Sequence, residues 1–205
     1  GVSPVRYALN WNAFECPNVL AIHCVHTDEE DVKKLKEYNV GVAVCPRCNA
    51  QLGMGVAPVN EFMRAGLRVG IGTDSPAATD STDMLSEMRL GMLIQRAVNV
   101  GEFLDSESML EMATIGGARA LKLDEEIGSL DIGKRADVIA VDLSSSQQSP
   151  TTNPVSALVN TCTSADVLMT MVDGVTLYER DRWHIDVEVA KHIARVIEIR
   201  GKLRL

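Results

Sequence analysis

The sequence predicts an α/β fold in which the first part of the chain forms parallel strands. Three apolar segments, at residues 18–25, 40–46 and 67–74, are typical of strands that are covered on both faces. The polar segments between them have helical spacing and are joined to the strands by short links. A repeated strand and helix unit with short links requires parallel strands and right-handed crossovers.

The first crossover helix is predicted over residues 27–39. Thr27 is the expected N-cap, and Glu30, three residues later, is the expected capping-box partner. Val32 and Leu35 then share one face of the helix.

The second crossover begins after Pro46, which ends its strand because proline cannot donate to a neighbouring strand. Residues 47–58 are expected to form a loop, and residues 59–66 a short helix closed by Gly66. Helical spacing resumes near residue 81, and we interpret its apolar side as core. The side chains on that side are Met84, Leu85, Met88, Met92 and Gln95.

A pair of helices is predicted over residues 105–121. Asp105 is the expected N-cap of the first helix, and the glycine pair at 116–117 is the expected break between the two.

Beyond residue 123 the pattern changes to short β segments. Two are predicted within residues 126–143 around a Gly-Lys turn, and residues 166–183 predict a hairpin that turns at Asp173-Gly174. Residues 186–203 predict an amphipathic helix with Ile193, Val196 and Ile197 on its apolar side.

The composition excludes several classes of function. With 205 residues, of which 46% are apolar, the chain can bury a substantial core. The net charge of −8, without a basic stripe, argues against nucleic acid and anionic membranes as partners. No apolar run approaches the roughly 20 residues that span a bilayer, and no signal segment is recognisable. We therefore expect a cytoplasmic protein that binds a small molecule.

The five cysteines are expected to be reduced, because their number is odd and the chain is too large to need disulfides. Cys45 and Cys48, in "CPRC", admit a structural zinc site or a redox pair as alternatives. We favour two plain thiols near the end of a strand.

Polar side chains follow all three predicted parallel strands. They are His23 and His26 after the first, Cys45 to Asn49 after the second, and Asp74 after the third. Ligands bind at the carboxyl ends of such strands, so these groups can converge on one site. Other interpretations stay open: Asp74 as a turn residue, His23 as a core histidine, and His26 as a loop residue. We treat His184 and His192 as structural.

Five motifs make the chain similar to a known family. The motifs are "LAIHCVHTDEEDVKKL", "VAVCPRCNAQLGMGVAPV", "GIGTDSPAATDSTDMLSEMR", "IGSLDIGKRADVIAVDL" and "MVDGVTLYERDRW". They occur in the order in which they occur in the amidohydrolase superfamily, and together they cover essentially the whole chain. The chain most resembles the branch that includes 5-methylthioadenosine/S-adenosylhomocysteine deaminases and triazine chlorohydrolases.

The resemblance implies a more specific α/β fold. Residues 1–122 would be the C-terminal part of a metal-dependent (β/α)8 barrel, with its last three strands. Residues 123–183 would be part of a small β-sandwich, and residues 184–205 a C-terminal helix. A complete barrel takes roughly 250 residues.

The resemblance also implies that much of the metal site lies elsewhere. The family's "HxH" pair on the first strand, and its later histidine with a nearby glutamate, have no counterpart here. The sequence starts at Gly1 rather than at a methionine, so we expect an incomplete chain. We expect it to be inactive by itself, because one carboxylate and one histidine cannot hold a catalytic metal with useful affinity. Because a partial barrel exposes strand edges, we expect homo-oligomers or a companion N-terminal half.

By resemblance, Asp74 binds one divalent metal, zinc above all, contacts the substrate, and takes a proton from metal-bound water. His23 hydrogen-bonds the attacking water or the developing oxyanion. Such an ion lowers the pKa of bound water towards neutrality, and a neighbouring carboxylate can then accept the proton.

The second-strand motif of the family usually reads "CPxSN". Here Cys48 replaces the serine, and Val44 stands where histidine is frequent, whereas Asn49 is kept. We expect this departure to affect the choice of substrate rather than the type of reaction.

The resemblance implies hydrolytic deamination of a heteroaromatic amine by metal-bound hydroxide, with S-adenosylhomocysteine or 5-methylthioadenosine as the expected substrate. A triazine or aromatic chlorohydrolase or aminohydrolase of the same superfamily is the alternative. A non-catalytic α/β module for binding or assembly is a rival hypothesis, as is a zinc-stabilised interaction domain built on Cys45 and Cys48.

Overall fold

The N-terminal part of the molecule is built on a three-stranded parallel sheet. The computed structural model describes residues 1–101, 103–185 and 188–203. The strands lie in the order β1 (Leu20–Ile22), β2 (Gly41–Val44) and β3 (Arg68–Ile71). Leu20 pairs with Gly41, and Gly41 pairs with Arg68, so the three strands start level with one another. The predicted parallel arrangement is confirmed.

Eight helices precede the second sheet within the described residues. In chain order they are α1 (Pro4–Leu9), α2 (Glu29–Glu37), α3 (Pro46–Gln51), α4 (Val59–Arg64), α5 (Pro76–Thr79), α6 (Met84–Val98), α7 (Ser106–Ala113) and α8 (Ile115–Leu121).

The first crossover helix, α2, begins one residue later than the sequence predicts. Its N-cap is Asp28, and its capping-box partner is Asp31 rather than Glu30. The predicted cap, Thr27, uses its hydroxyl to donate to the backbone carbonyl of Cys24 at 3.0 Å. That bond leaves Asp28 to accept the free backbone N–H of Asp31 at 2.9 Å.

The segment after β2, predicted as a loop, starts with the helix α3. Pro46 occupies the first helical turn, where its missing N–H costs nothing, so it starts a helix as well as ending the strand.

The helix pair over 105–121 breaks at Thr114 rather than at the two glycines. Gly116 and Gly117 lie inside α8, where they allow the helix backbone to approach the sheet. A Cβ on Gly116 would lie 2.8 Å from the carbonyl oxygen of Val69 in β3. The glycines therefore serve close packing rather than a turn.

The second sheet is antiparallel and has the order β4 (Val138–Val141), β5 (Val167–Val172), β6 (Val175–Glu179) and β7 (Arg182–Trp183). The hairpin turning at Asp173-Gly174 is confirmed. Of the two β segments predicted within 126–143, only β4 forms. The earlier part folds back as turns, in which the N–H of Arg135 donates to the carbonyl of Glu126 at 2.8 Å.

Helix α9 (Pro154–Asn160) and a 3-10 turn (Ser164–Asp166) connect β4 to β5, and α10 (Val189–Leu203) ends the described chain. The predicted C-terminal helix is thus confirmed, although its predicted first residues, 186–187, lie outside the described residues, as do 204–205. Its apolar side chains Ile193, Val196 and Ile197 are 55–65% exposed in this chain.

The main core lies between the parallel sheet and its helices. Its completely or almost completely buried large side chains include Leu35, Phe62, Met88, Met92 and Met109. The helical stripe of α6 therefore packs into the core, as the sequence predicts. None of the described helices has the length and apolarity needed to cross a membrane.

The contact between β2 and α8 should tolerate no side chain at Gly41. A Cβ there would lie 2.0 Å from the carbonyl oxygen of Ala120, which is backbone and cannot rotate away. We expect Gly41→Ala to lower the free energy of unfolding by about 1–3 kcal/mol, measured by urea denaturation. Gly201→Ala is the control, because nothing lies within 4 Å of its added Cβ, and it should not destabilise the chain. Equal midpoints for the two variants would contradict the predicted clash.

The contact between α1 and α2 should weaken in acid. The Arg6 guanidinium, which donates two hydrogen bonds to the Asp28 carboxylate, lowers the pKa of Asp28 to about 2. A lowered pKa stabilises the fold at neutral pH, and this stabilisation is lost as the pH falls from about 4 through 2. Asp28→Asn keeps the helix cap and removes the charge, so its stability should fall less over this range in chemical denaturation. Arg6→Met should show the same smaller loss of stability in acid. If the stability of Asp28→Asn and of the unmodified chain fell equally with pH, the predicted role of this ion pair would be refuted.

Candidate metal and catalytic site

Side chains from the carboxyl ends of all three parallel strands meet at one point. His23 follows β1, Cys48 lies in α3 directly after β2, and Asp74 follows β3 by three residues. One nitrogen, one sulfur and one oxygen of these residues lie within 4.8 Å of one another. His23 and Asp74, both predicted from the sequence, are thus brought together, and from the predicted group of Cys45 to Asn49 it is Cys48 that joins them.

The backbone at this point is strained. His23, Cys24 and Asp74 have φ angles of 69°, 47° and 59°, in the left-handed region that side chains with a Cβ disfavour. Each such residue costs on the order of 1 kcal/mol or more, and such residues cluster at functional sites. Because β1 ends at Ile22, His23 lies directly after the strand, as expected for a strand-end group, and not in its interior.

The imidazole of His23 is held between two partners. Nδ1 lies 2.9 Å from Oδ1 of Asn49, and Nε2 lies 3.6 Å from Oδ2 of Asp74. An amide oxygen only accepts hydrogen bonds, so this contact places a proton on Nδ1. Side chains of His23 and Asp74 remain 28% and 27% exposed, so a ligand can reach both.

The carboxylate of Asp74 is stabilised in its charged form. The Cys48 thiol donates a hydrogen bond to it, and the backbone N–H of Ser75 donates another at 2.6 Å. These two bonds hold the pKa of Asp74 below its usual value, and the bond from Cys48 has the larger effect. The same interaction raises the pKa of the Cys48 thiol to about 11, so the free site holds the protonated thiol.

The five cysteines are free, and four of them lie outside the cluster of potential metal ligands found among the described residues. Burial raises the pKa of Cys45 to about 12 and that of Cys24 to about 11, so both are unreactive thiols. The donor cluster contains Cys48 without Cys45. A zinc site built on the "CPRC" pair is therefore not favoured.

A buried ion pair fixes the helix that carries Cys48 and Asn49. Glu87 of α6 is completely buried, and its Oε1 accepts the backbone N–H of Arg47 at 2.8 Å. Its Oε2 accepts Nε of the same arginine at 3.2 Å. Cys45, the N-cap of α3, makes no side-chain capping bond, so Glu87 supplies the missing cap from another helix. Burial raises the pKa of Glu87 above its usual value, while Arg47 opposes that rise.

The other histidines lie away from this cluster. His26 is exposed in the loop before α2, His184 lies 4.0 Å from Glu179 beside β7, and His192 lies in α10. None of the three belongs to a cluster of potential metal ligands within the described ranges. Their interpretation as loop or structural residues stays a prediction.

The chain belongs to the amidohydrolase family, whose sequence profile matches residues 2–177. A 5-methylthioadenosine/S-adenosylhomocysteine deaminase of Pelotomaculum thermopropionicum is 40% identical and is matched over 96% of this chain and 47% of its own length. An S-triazine hydrolase of Gordonia rubripertincta is 38% identical, over 80% of this chain and 34% of its own. The chain therefore spans about half or less of the length of these curated relatives.

Solved structures show the same similarity. An adenosine deaminase from Xanthomonas campestris with bound zinc superimposes with a TM-score of 0.84 at 32% identity, over 90% of this chain and 42% of that one. An atrazine chlorohydrolase from Arthrobacter aurescens, complexed with zinc, gives 0.80 at 27% identity, over 88% and 40%. The α/β fold is thus that of amidohydrolases, and the family and its branch agree with the sequence motifs.

The sequence predicted that the segment from Cys45 to Asn49 can converge with His23 and Asp74, but it did not predict the individual contacts that α3 makes. The change from serine to Cys48 was expected to affect the choice of substrate, and no sequence pattern singled out Glu87. Only the charged pair of Arg47 and Glu87, forty residues apart, could have indicated that the two segments touch.

The ion pair between Glu87 and Arg47 should matter for stability. Replacing Glu87 with alanine leaves the Arg47 charge and a backbone N–H without their acceptor. We expect a loss of about 2–3 kcal/mol in the free energy of unfolding, below the range for fully buried pairs because Arg47 is 24% exposed.

Glu111→Ala, which removes the exposed pair with Arg119, is the matched control and should cost less than about 1 kcal/mol. Urea unfolding measures both. A Glu87→Ala variant as stable as the control would show that the buried pair does not hold α3.

Proposed function

We propose that this chain supplies part of a metal-dependent hydrolase that removes an amino group from a heteroaromatic ring by adding water. The observation that carries the proposal is the position of His23 and Asp74, whose Nε2 and Oδ2 atoms lie 3.6 Å apart at the shared edge of the parallel sheet. A carboxylate base and an imidazole that lie close together at the ends of the strands can act on the same water molecule, as its activation requires. Membership of the amidohydrolase family supports this reaction class.

The proposed substrate is an adenosine-type nucleoside, such as S-adenosylhomocysteine or 5-methylthioadenosine. Relatives with these substrates in their names, at 35–43% identity, support that choice. A cavity of about 320 Å³ beside His23 is lined mainly by apolar side chains, among them Phe14, Val25 and Met54. Its size and apolar lining suit a ring or a thioether better than a phosphate.

The donor set at the site suits a divalent ion. Imidazole nitrogen, carboxylate oxygen and thiol sulfur are all ligands that zinc accepts. Asp74 is the residue proposed to hold the ion, and its carboxylate, with the pKa lowered by the Cys48 and Ser75 contacts, is charged at neutral pH. An ion bound there would supply water that loses a proton near neutral pH.

The other steps of the proposed reaction are assigned to three residues of this chain. In the overall reaction the ring carbon gains an oxygen from water and the amino nitrogen leaves as ammonia. The Asp74 carboxylate is the base that accepts the proton given up by water. His23 faces Asp74 and so acts on the same water, and Asn49 fixes the orientation of its ring through Nδ1.

We also propose that β1, β2 and β3 are the last three strands of a (β/α)8 barrel within residues 1–122. Residues 123–183 would supply part of a β-sandwich, and residues 184–205 its C-terminal helix. Within the described residues, β1 and β3 are the outer strands of the sheet and each offers one unpaired edge. The missing strands would come from another part of the polypeptide, a companion half or another copy of the chain.

A triazine is the second candidate substrate. The S-triazine hydrolase at 38% identity and the chlorohydrolase structures support it. The two candidates share the site and differ in the leaving group, so a direct comparison of the substrates separates them.

Asp74 should be essential to the activity of the intact gene product that contains this chain. Asp74→Asn keeps the shape of the side chain but removes the base. We expect hydrolysis to fall by at least about a hundredfold, measured as ammonia released from S-adenosylhomocysteine and 5-methylthioadenosine and as chloride released from a chlorotriazine.

The control is Asp80→Asn, because Asp80 is an exposed residue that ends α5 in the left-handed conformation, which asparagine also adopts. It should keep its activity. Undiminished deamination by Asp74→Asn would refute the proposed chemistry. Absence of turnover by the unmodified gene product with all three substrates would instead favour a non-catalytic module.

A further inference from the structure

We propose that Glu87 is a positioning residue for the reaction, which acts on His23 through the short helix α3. Glu87 fixes the start of α3, and Asn49 of that helix then holds the imidazole with its proton on Nδ1. The other ring nitrogen, Nε2, faces Asp74 without a proton. The consequence for catalysis rests on the proposed function, whereas the position of the proton on His23 does not.

The position of the proton on His23 depends on Asn49. A neutral imidazole carries one proton, which can lie on either nitrogen. The amide oxygen of Asn49, 2.9 Å from Nδ1, draws the proton to that nitrogen. On the other side of the ring, Oδ2 of Asp74 lies 3.6 Å from Nε2 and is also an acceptor. If the Asn49 oxygen moved away, the carboxylate would remain as the acceptor, and the proton would move to Nε2.

The position of this proton decides what His23 can do with water. A lone pair at Nε2 accepts a hydrogen bond, whereas a protonated Nε2 only donates one. With the proton on Nδ1, the imidazole and the Asp74 carboxylate therefore both present acceptors to the space between them. A water molecule has two hydrogens to donate, so this arrangement orients it and supports the removal of its proton.

The position of Asn49 depends in turn on α3, which is held by few contacts of its own. The helix has only six residues and no side-chain cap at Cys45, and helices of this length are not stable alone. A cavity of about 410 Å³ separates part of α3 from α6. Its lining includes Asn49 and Ala50 of α3, with Ile94 and Gln95 of α6. Close packing is therefore missing on that side of α3.

Glu87 supplies the support that packing does not. Its side chain is completely buried, and its two oxygens accept the backbone N–H of Arg47 at 2.8 Å and the Nε of Arg47 at 3.2 Å. The guanidinium of Arg47 also donates to the hydroxyl of Ser86, in the same helix as Glu87. Arg47 lies two residues before Asn49, within one helical turn. A shift of about 1 Å in α3 would stretch the 2.9 Å contact with His23 beyond hydrogen-bonding range.

Nuclear magnetic resonance of the 205-residue chain tests the inference without an activity assay. In a chelator-treated chain with ¹⁵N-labelled histidine, the shifts of the ring nitrogens distinguish a protonated from an unprotonated nitrogen. Spectra at about pH 9 report neutral rings, and His23→Gln identifies the His23 signals by their loss. We expect the His23 proton on Nδ1, which is the less common tautomer of histidine in water.

Variants of Glu87 should move this proton. Glu87→Ala removes the acceptor of the Arg47 N–H, so we expect the proton on Nε2 in most molecules, as in Asn49→Ala. Glu87→Gln keeps an oxygen for the same N–H and should keep the proton on Nδ1. Glu87→Asp keeps the charge but withdraws the acceptor by one methylene group, and it should move the proton in part. The aspartate variant decides if the alanine variant does not fold.

Two controls separate positioning from a general loss of stability. Val159→Ala removes completely buried methyl groups from α9, and Glu111→Ala removes an exposed ion pair. Both should keep the His23 proton on Nδ1. Circular dichroism of each variant shows that it is folded.

The kinetics of the intact gene product test the consequence for the reaction. In Glu87→Ala or Glu87→Asp, we expect kcat to fall about tenfold and KM to change less than about threefold, because the change affects the activation of water. Glu87→Gln should restore most of kcat, and Val159→Ala should keep it.

The inference is overturned if the unmodified chain carries the His23 proton on Nε2, or if the proton stays on Nδ1 in the folded variants Glu87→Ala and Glu87→Asp. A proton that also moves in Val159→Ala would attribute the effect to lost stability and overturn it too. An unchanged kcat in a variant whose proton has moved would overturn the role in the reaction. If the unmodified gene product hydrolyses none of the substrates, the proposed function fails, and the spectra still decide whether Glu87 positions His23.

Discussion

The parallel register of β1, β2 and β3 determines where every group of the candidate site lies. Because the three strands start level and run in the same direction, the residues that follow them reach the same edge of the sheet. This register in turn needs α8 to lie directly on the strands. Gly41 permits that contact, since a side chain there would meet the backbone of Ala120. The close packing of α8 on one face of the sheet thus helps to fix where the site residues lie at the carboxyl ends of the strands.

The short helix α3 connects the core to the chemistry. It is too short to be stable on its own, and its first turn lacks a side-chain cap, so its position depends on Glu87 of α6. Through Asn49 it orients His23, and through Cys48 it contacts Asp74. A carboxylate buried in the core is therefore linked through one helix to the two side chains proposed to activate water.

The sequence predicted much of the fold because local signals and burial agreed. The continuous apolar strands, the helical stripe of α6 and the Asp173-Gly174 hairpin formed as expected. The errors fall where two local rules competed. Thr27 and Asp28 were both good caps, and the carbonyl of Cys24 engaged Thr27. Gly116 and Gly117 looked like a break, but the sheet requires a helix without side chains at that contact.

By itself, the sequence determined the family, the parallel α/β fold and the two residues at the ends of the outer strands, because motifs and strand ends are local properties of the chain. Only the tertiary structure decided that Cys48 contacts Asp74, that Asn49 orients His23, and that Glu87 caps α3. Those contacts join residues between 26 and 40 positions apart. Such pairs are set by how helices pack on the sheet, and no spacing along the chain encodes them.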